Sequence, residues 1–179
     1  LLGGSIGLAV REHLPAVATT GYDADPAVRR RAAERRLADT ICDSAAEAVG
    51  DADLVILCVP VGAMADAARE IAGALPEGML VSDVGSSKRT IARTLAEALP
   101  GQPIIPAHPV AGTEHSGPDA GFATLFHHRW CILTPPEGAD PALVDQLAAF
   151  WSALGSRVEV MDAEHHDLVL AVTSHIPHL

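Results

Sequence analysis

The sequence predicts an α/β fold: a doubly wound, mostly parallel sheet with helices on both faces. Three observations carry that expectation. Short apolar runs alternate with amphipathic stretches along the chain, the order that builds parallel sheets with right-handed crossovers. The run "DLVILCVP" (53–60) is almost wholly apolar and is stopped by Pro60, as suits a strand buried on both faces. The chain also opens "LLGGSIGLAV" (1–10), a glycine-rich turn that runs directly into a helix.

The elements follow in order. A helix opened by glycines covers 3–14, and "AVATTGYD" (16–23) reads as a strand ending at Asp23. "DPAVRRRAAERR" (25–36) is a helix with Asp25 as its N-cap and Pro26 at its first position. After the apolar run come the helix "VGAMADAAREIAGAL" (61–75) and the strand "MLVSDVG" (79–85). The helix "SKRTIARTLAEAL" (87–99) and the strand "QPIIPAHP" (102–109) follow. Residues 111–129 are polar and irregular, with a short helix expected around Phe122 to Phe126. "WCILTP" (130–135) and "RVEVM" (157–161) are strands separated by the helix "PALVDQLAAFWSAL" (141–154). "DAEHHDLVLAVTSHIPHL" (162–179) is a helix with no strand after it. A second domain is therefore expected to begin there, leaving 1–161 as the first.

Composition narrows the partners. Twelve basic residues against 23 acidic ones give a net charge of −11, which argues against affinity for nucleic acid or anionic membranes. A local positive pocket for an anionic substrate is still allowed. Cys42, Cys58 and Cys131 form no CxxC pair, so a disulfide framework or cysteine metal site is not expected, and a reducing cytoplasm fits. Cys58, inside "LVILCV", reads as a small core residue. No apolar stretch reaches the roughly 18 residues of a membrane span. No signal-peptide pattern opens the chain. With no initiator Met at its start, the sequence is expected to be a piece of a longer one.

The opening glycines have a chemical reading. A dinucleotide-binding fingerprint needs a strand, then G-x-G-x-x-G, then a helix, with an acidic residue about 20 positions on. The strand and first two glycines would precede Leu1, so that Gly3 is the third, followed by Gly4 and Ser5. The helix N-terminus would offer free N–H groups and its positive dipole end to a pyrophosphate. Asp23, twenty residues after Gly3, could bind both ribose hydroxyls and repel a 2′-phosphate, favouring NAD. Arg29, Arg30 and Arg31 keep NADP open, although they also read as a solvated helix face. Val59 and Pro60, at the carboxyl end of the apolar run, fall where such sheets bind ligands and are assigned to the cofactor.

Other strand ends are unusually polar. "SDVGSSKRT" could be ordinary turn chemistry, with Asp83 and Ser87 as cap or turn residues and Lys88 a solvated lysine of a first helical turn. "AHPVAGTEHSGPDAG" (107–121) is harder to dismiss, since it holds two histidines, two carboxylates, a threonine and a serine. His108 reads either as a strand-end histidine capped by turn backbone or as a general base. His115, His127 and His128 read as exposed loop residues. His165, His166, His175 and His178 lack the spacing of a closed metal-ligand set, and no metal is assigned.

The blocks "DVGSSK", "HPVAGTEHSGPDAGFATLF", "ILTP" and "TSHIPH" resemble the prephenate/arogenate (cyclohexadienyl) dehydrogenases of tyrosine biosynthesis, in order and spacing from end to end. The resemblance implies a Rossmann-like NAD(P)-binding domain followed by an all-helical dimerisation domain beginning near Asp162. It implies oxidative decarboxylation of prephenate to 4-hydroxyphenylpyruvate, or of arogenate to tyrosine, in a cytoplasmic homodimer. His108 matches the family's catalytic histidine, and Ser86 the serine that contacts the same hydroxyl and the nicotinamide region. Thr113 and Glu114 match positions near the substrate. Ser174, His175 and His178 match the helix face that closes the pocket, the two histidines lying three apart on one face. The arginine that binds the ring carboxylate is expected beyond Leu179. Two other readings stand beside this one. One is a different dehydrogenase of this fold acting on a small hydroxy acid, typically with a lysine as acid/base. The other is a non-catalytic nucleotide-binding sensor.

Overall fold

A computed structural model of the chain describes the backbone of residues 1–175 and the side chains of residues 1–172. Seven strands and seven helices alternate among them, as the apolar pattern requires. The helices are α1 (Leu2–His13), α2 (Pro26–Glu34), α3 (Ala45–Val49), α4 (Met64–Ile71), α5 (Lys88–Ala98), α6 (Pro141–Ala153) and α7 (Ala163–His175). The strands are β1 (Thr20–Gly21), β2 (Thr40–Ile41), β3 (Leu54–Leu57), β4 (Leu80–Asp83), β5 (Ala107–Pro109), β6 (Trp130–Leu133) and β7 (Arg157–Val160). The pairs β1–β2, β3–β4 and β6–β7 are parallel, and a parallel bridge from Val81 to Ile104 links β4 to the lead-in of β5. The one antiparallel pair among the described residues, β5–β6, sets His108 opposite Ile132. No α-helix separates β5 from β6, and a parallel return needs such a crossover.

Strand alternation shows how the sheet is sandwiched. In β3, Val55 and Leu57 join one core with α3, α4 and α5, while Leu54 and Ile56 pack toward another core formed with α1 and α6. In β4, Val81 belongs to the first core and Leu80 to the second. Successive side chains on a strand point to opposite faces, so two cores on either side mean helices on both faces. Trp151 anchors the second core, meeting Phe126 edge-on with ring centroids 5.3 Å apart. Such a pair adds specific geometry to a large apolar burial.

The cap expected at Asp25 is present, and Asp140 is a second that was not anticipated. Asp25 accepts from Ala27 N–H at the start of α2, and Asp140 does the same for Ala142 at α6. Several expectations are corrected. The strand 16–23 shrinks to Thr20–Gly21, because Pro15 to Ala18 are exposed and have no face to bury. The helix expected near Phe122 to Phe126 is a series of turns, and the helical turn of that loop is a 3₁₀ turn at Pro118–Ala120, where Pro118 presets the backbone. β2 and α3 were not anticipated; Ser44 caps α3 by accepting from Glu47 N–H. Cys58 is exposed rather than core, since it lies just past the end of β3, which among the described residues pairs with β4 alone.

Gly7 fixes how α1 sits. A Cβ there would overlap the Leu37 carbonyl oxygen, so only glycine lets the helix backbone approach the segment after α2. No helix among the described residues is long and apolar enough to cross a membrane.

Candidate active site

One half of the site is backbone. The first intrahelical bond of α1 runs from Ser5 N–H to Leu1 C=O, which leaves the N–H groups of Leu2, Gly3 and Gly4 without helical acceptors. Gly3 lies against Cys58, a Cβ on it being 3.3 Å from the Cys58 Cβ. The helix N-terminus thus stands beside the carboxyl end of β3, next to Val59 and Pro60. Ser5 is fully buried, and its hydroxyl accepts from Phe122 N–H at 3.2 Å. That bond, with Gly121 packed against the backbone of Gly4 and Ser5, draws the 111–129 loop over the start of α1.

Asp23 is exposed just beyond β1, where its Oδ1 accepts from Asp25 N–H at 2.9 Å. The arginines are less free than a solvated face would be. Arg29 donates to the Asp23 carbonyl at 2.7 Å and lies over the Tyr22 ring. Arg31 pairs with Asp119 and Glu34, and Arg35 donates to the Pro118 and Gly121 carbonyls. Arg30 is exposed. Arg31 and Arg35 therefore pin the 111–129 loop to α2.

The other half is built from buried side chains. Lys88, expected to be solvated, is fully buried. Its Nζ lies 2.6 Å from Asp83 Oδ2 and donates to the Ala107 carbonyl at 2.6 Å. Asp83 also accepts from the Gly85 and Ala107 N–H groups. Burial pushes the Asp83 carboxyl up and the Lys88 ammonium down, each against the attraction of its partner. The pair clamps the end of β4, the start of α5 and Ala107 together, and so fixes the backbone from which His108 projects.

His108 is 9% exposed and lines a cavity of about 400 Å³ together with Val110, Ala111, Gly112, Arg129 and Leu170. Its Nδ1 lies 2.9 Å from Nε2 of His166, which is fully buried. Nδ1 of His166 lies 2.8 Å from Asp167 Oδ1. Asp167 accepts in turn from the Lys88 and Arg89 N–H groups and so caps α5, a task the Ser87 side chain does not perform. Partial burial opposes ionisation of Asp167, but the bonds from His166 and the α5 N–H groups outweigh it and hold its carboxyl below the usual range. For His108, burial, then His166, then Lys88 lower the pKa to about 4. The imidazole is neutral at pH 7 and able to accept a proton.

The remaining assigned residues are spread around this centre. Ser86 is exposed in the turn between β4 and α5. Thr113 and Glu114 are exposed in the loop after β5, and the Thr113 hydroxyl is turned onto the His115 backbone. Ser174 and His175 lie on α7 with side chains outside the described residues, and His178 lies outside the described residues altogether. His127 is half-buried, with its Nε2 3.0 Å from that of His13, whereas His115 and His128 are exposed. No cluster of three or more His, Cys, Asp or Glu side chains able to hold a metal occurs among the described residues.

Three residues were missed. Arg129 sits in the cavity, and no hydrogen bond or ion pair engages its guanidinium among the described residues. His166 and Asp167 stood in the sequence as part of a histidine cluster. His166 and the cavity residue Leu170 are four apart, on one helical face, but only the structure shows that this face meets the cavity.

Comparison with known proteins gives the family. The family model of the prephenate dehydrogenase nucleotide-binding domain matches residues 6–160. A cyclohexadienyl dehydrogenase of Zymomonas mobilis is 44% identical over the whole chain, which covers 61% of that protein. The chain spans about half the length of a prephenate dehydrogenase of Bacillus subtilis, at 32% identity. Among solved structures, the prephenate dehydrogenase of A. aeolicus in complex with hydroxyphenyl propionate and NAD+ superposes with a TM-score of 0.89 at 30% identity, over 99% of this chain and 62% of that one. The family model includes the strand that carries His108. The chain belongs to the family of prephenate dehydrogenase nucleotide-binding domains.

Proposed function

We propose that the full-length protein oxidatively decarboxylates prephenate or arogenate with NAD, and that this chain supplies its cofactor site and its base. The observation that carries the reading is His108: a buried, neutral imidazole on the wall of a cavity at a strand end, with one ring nitrogen unengaged among the described residues. The free N–H groups of Leu2, Gly3 and Gly4 fit a pyrophosphate, and their glycines leave room for it to approach. Gly3, Gly4, Ser5, Val59 and Pro60 would surround it, with Ser5 acting through the loop it anchors. Asp23 would take the ribose, and Arg29, folded onto the Asp23 carbonyl, keeps NADP within reach. NAD, when bound, supplies a hydride acceptor.

His108 takes the proton of the ring alcohol as the carbinol carbon gives up its hydride. The ring carboxylate then departs as carbon dioxide, and its electron pair completes an aromatic ring. Ser86 orients the hydroxyl, and Thr113 and Glu114 line the approach. Ser174, His175 and His178 match the helix face that would close the pocket from the second domain. Arg129 adds a cation within the cavity for an anionic substrate, despite the chain's net negative charge. A lysine-based hydroxy-acid mechanism is disfavoured, because Lys88 is sealed in its pair with Asp83.

Residues 1–161 serve in this reading as the NAD(P)-binding domain and 162–179 as the first helix of a helical one. Leu168 and Val172, exposed four residues apart on α7, offer apolar surface to that domain and to a homodimer, in a cytoplasmic enzyme. The test is a steady-state assay of the full-length protein with prephenate and with arogenate, each with NAD and NADP. Cofactor reduction with at least one substrate is expected, faster with NAD. No reduction in any combination overturns the reading.

A further inference from the structure

We propose that His166, held by Asp167, is a positioning residue that sets the tautomer of His108 and so aims a lone pair into the cavity. The Asp167 carboxylate can only accept hydrogen bonds. It already accepts from the Lys88 and Arg89 N–H groups, which fixes its two oxygens at the head of α5. The contact of 2.8 Å between Asp167 Oδ1 and His166 Nδ1 therefore carries its hydrogen on the imidazole. When His166 carries a single ring hydrogen, the Asp167 contact holds that hydrogen on Nδ1 and leaves Nε2 bare, as an acceptor. That nitrogen lies 2.9 Å from His108 Nδ1, so His108 must donate there and keep its own hydrogen on Nδ1. Nε2 of His108 is left with a lone pair, on a side chain that lines the cavity.

Free imidazole in water favours the opposite tautomer, with the hydrogen on Nε2, which would turn a donor toward the substrate hydroxyl. The Asp167–His166 chain reverses that preference by supplying an acceptor and nothing else. The arrangement follows the logic by which a buried carboxylate orients a catalytic histidine, extended by one imidazole. It also explains why both ends are rigid. Asp167 is anchored by helix N–H groups, and His108 follows directly on Ala107, which the Asp83–Lys88 pair clamps.

The proposal rests on His108 being the base. Its test uses the full-length protein with 15N-labelled histidine, read by NMR near neutral pH alongside turnover and NAD binding. In the parent protein His108 should show a protonated Nδ1 and a bare Nε2. His166→Leu keeps the buried volume but removes the acceptor. It should shift His108 to the Nε2-protonated form and lower kcat by about 10²-fold, the low end of a general-base contribution, with NAD affinity unchanged. His166→Gln, whose side-chain carbonyl can accept from Nδ1, should restore the parent tautomer and most of the rate. A protonated Nε2 in the parent protein overturns the proposal. So does a His166→Leu variant that retains both tautomer and rate. If His108→Asn leaves turnover intact, the assignment of His108 as base fails instead; if it abolishes turnover while His166→Leu changes nothing, only the positioning role fails.

Discussion

The two halves of the candidate site are made of different materials. Around the start of α1 the groups on offer are backbone N–H donors, two glycines and an exposed carboxylate, Asp23. Around His108 they are buried side chains: the Asp83–Lys88 pair, His166 and the capping Asp167. Backbone donors recognise a phosphate by shape and dipole and tolerate most side-chain changes nearby. A buried polar network depends on every member, because each group left alone keeps its desolvation cost. The first half should therefore be robust and tunable, and the second brittle and sensitive to pH.

The largest effect should come from breaking the brittle half. Lys88→Met leaves the Asp83 carboxylate buried without its cation, and about 3–5 kcal/mol of stability should be lost, measured by urea unfolding. A loss below 1 kcal/mol would mean that the pair is incidental to the fold.

Acid should come next. An unfolded histidine protonates near pH 6.5, whereas His108 in the fold does so at about 4. Between those values the unfolded chain binds more protons, so stability falls as pH drops through that window and is fully present above it. The shift corresponds to about 3 kcal/mol. His108→Gln should remove that component, so its unfolding free energy should change less than the parent's between about pH 7 and about pH 4. Parallel curves would show that His108 titrates normally.

Smaller effects belong to the backbone half. Gly7→Ala drives a methyl into the Leu37 carbonyl and should cost about 1–3 kcal/mol of stability while α1 still forms. Asp23→Ala should leave the fold unchanged and lower the preference for NAD over NADP by roughly tenfold, the scale of one charge-assisted hydrogen bond. An unchanged preference removes Asp23 from the ribose.

The same contrast governs what the sequence could tell. The backbone half was legible because its signals are local: glycines before a helix, Asp25 and Pro26 at a cap, an apolar run ended by Pro60. His108 stood out as a polar residue in a dense polar block, but only the family resemblance singled it out as the base. Its partners did not stand out, because His166 and Asp167 reach it only when α7 folds back onto α5, a contact between residues 58 positions apart. Lys88 looked solvated because a first-turn lysine has no local partner; Asp83 becomes one only when β4 turns sharply into α5. The 111–129 loop resisted prediction for a similar reason. Its course is fixed by Ser5, Arg31 and Arg35, which belong to α1, α2 and the end of α2.

The central claim is that the cofactor is held by one half and the chemistry done by the other. The most direct measurement is made on full-length His108→Asn, with NAD affinity by calorimetry and turnover of prephenate and arogenate on the same preparation. Turnover should fall by about 10²–10⁴-fold with NAD affinity unchanged. Equal loss of both would contradict the account and make His108 a structural residue.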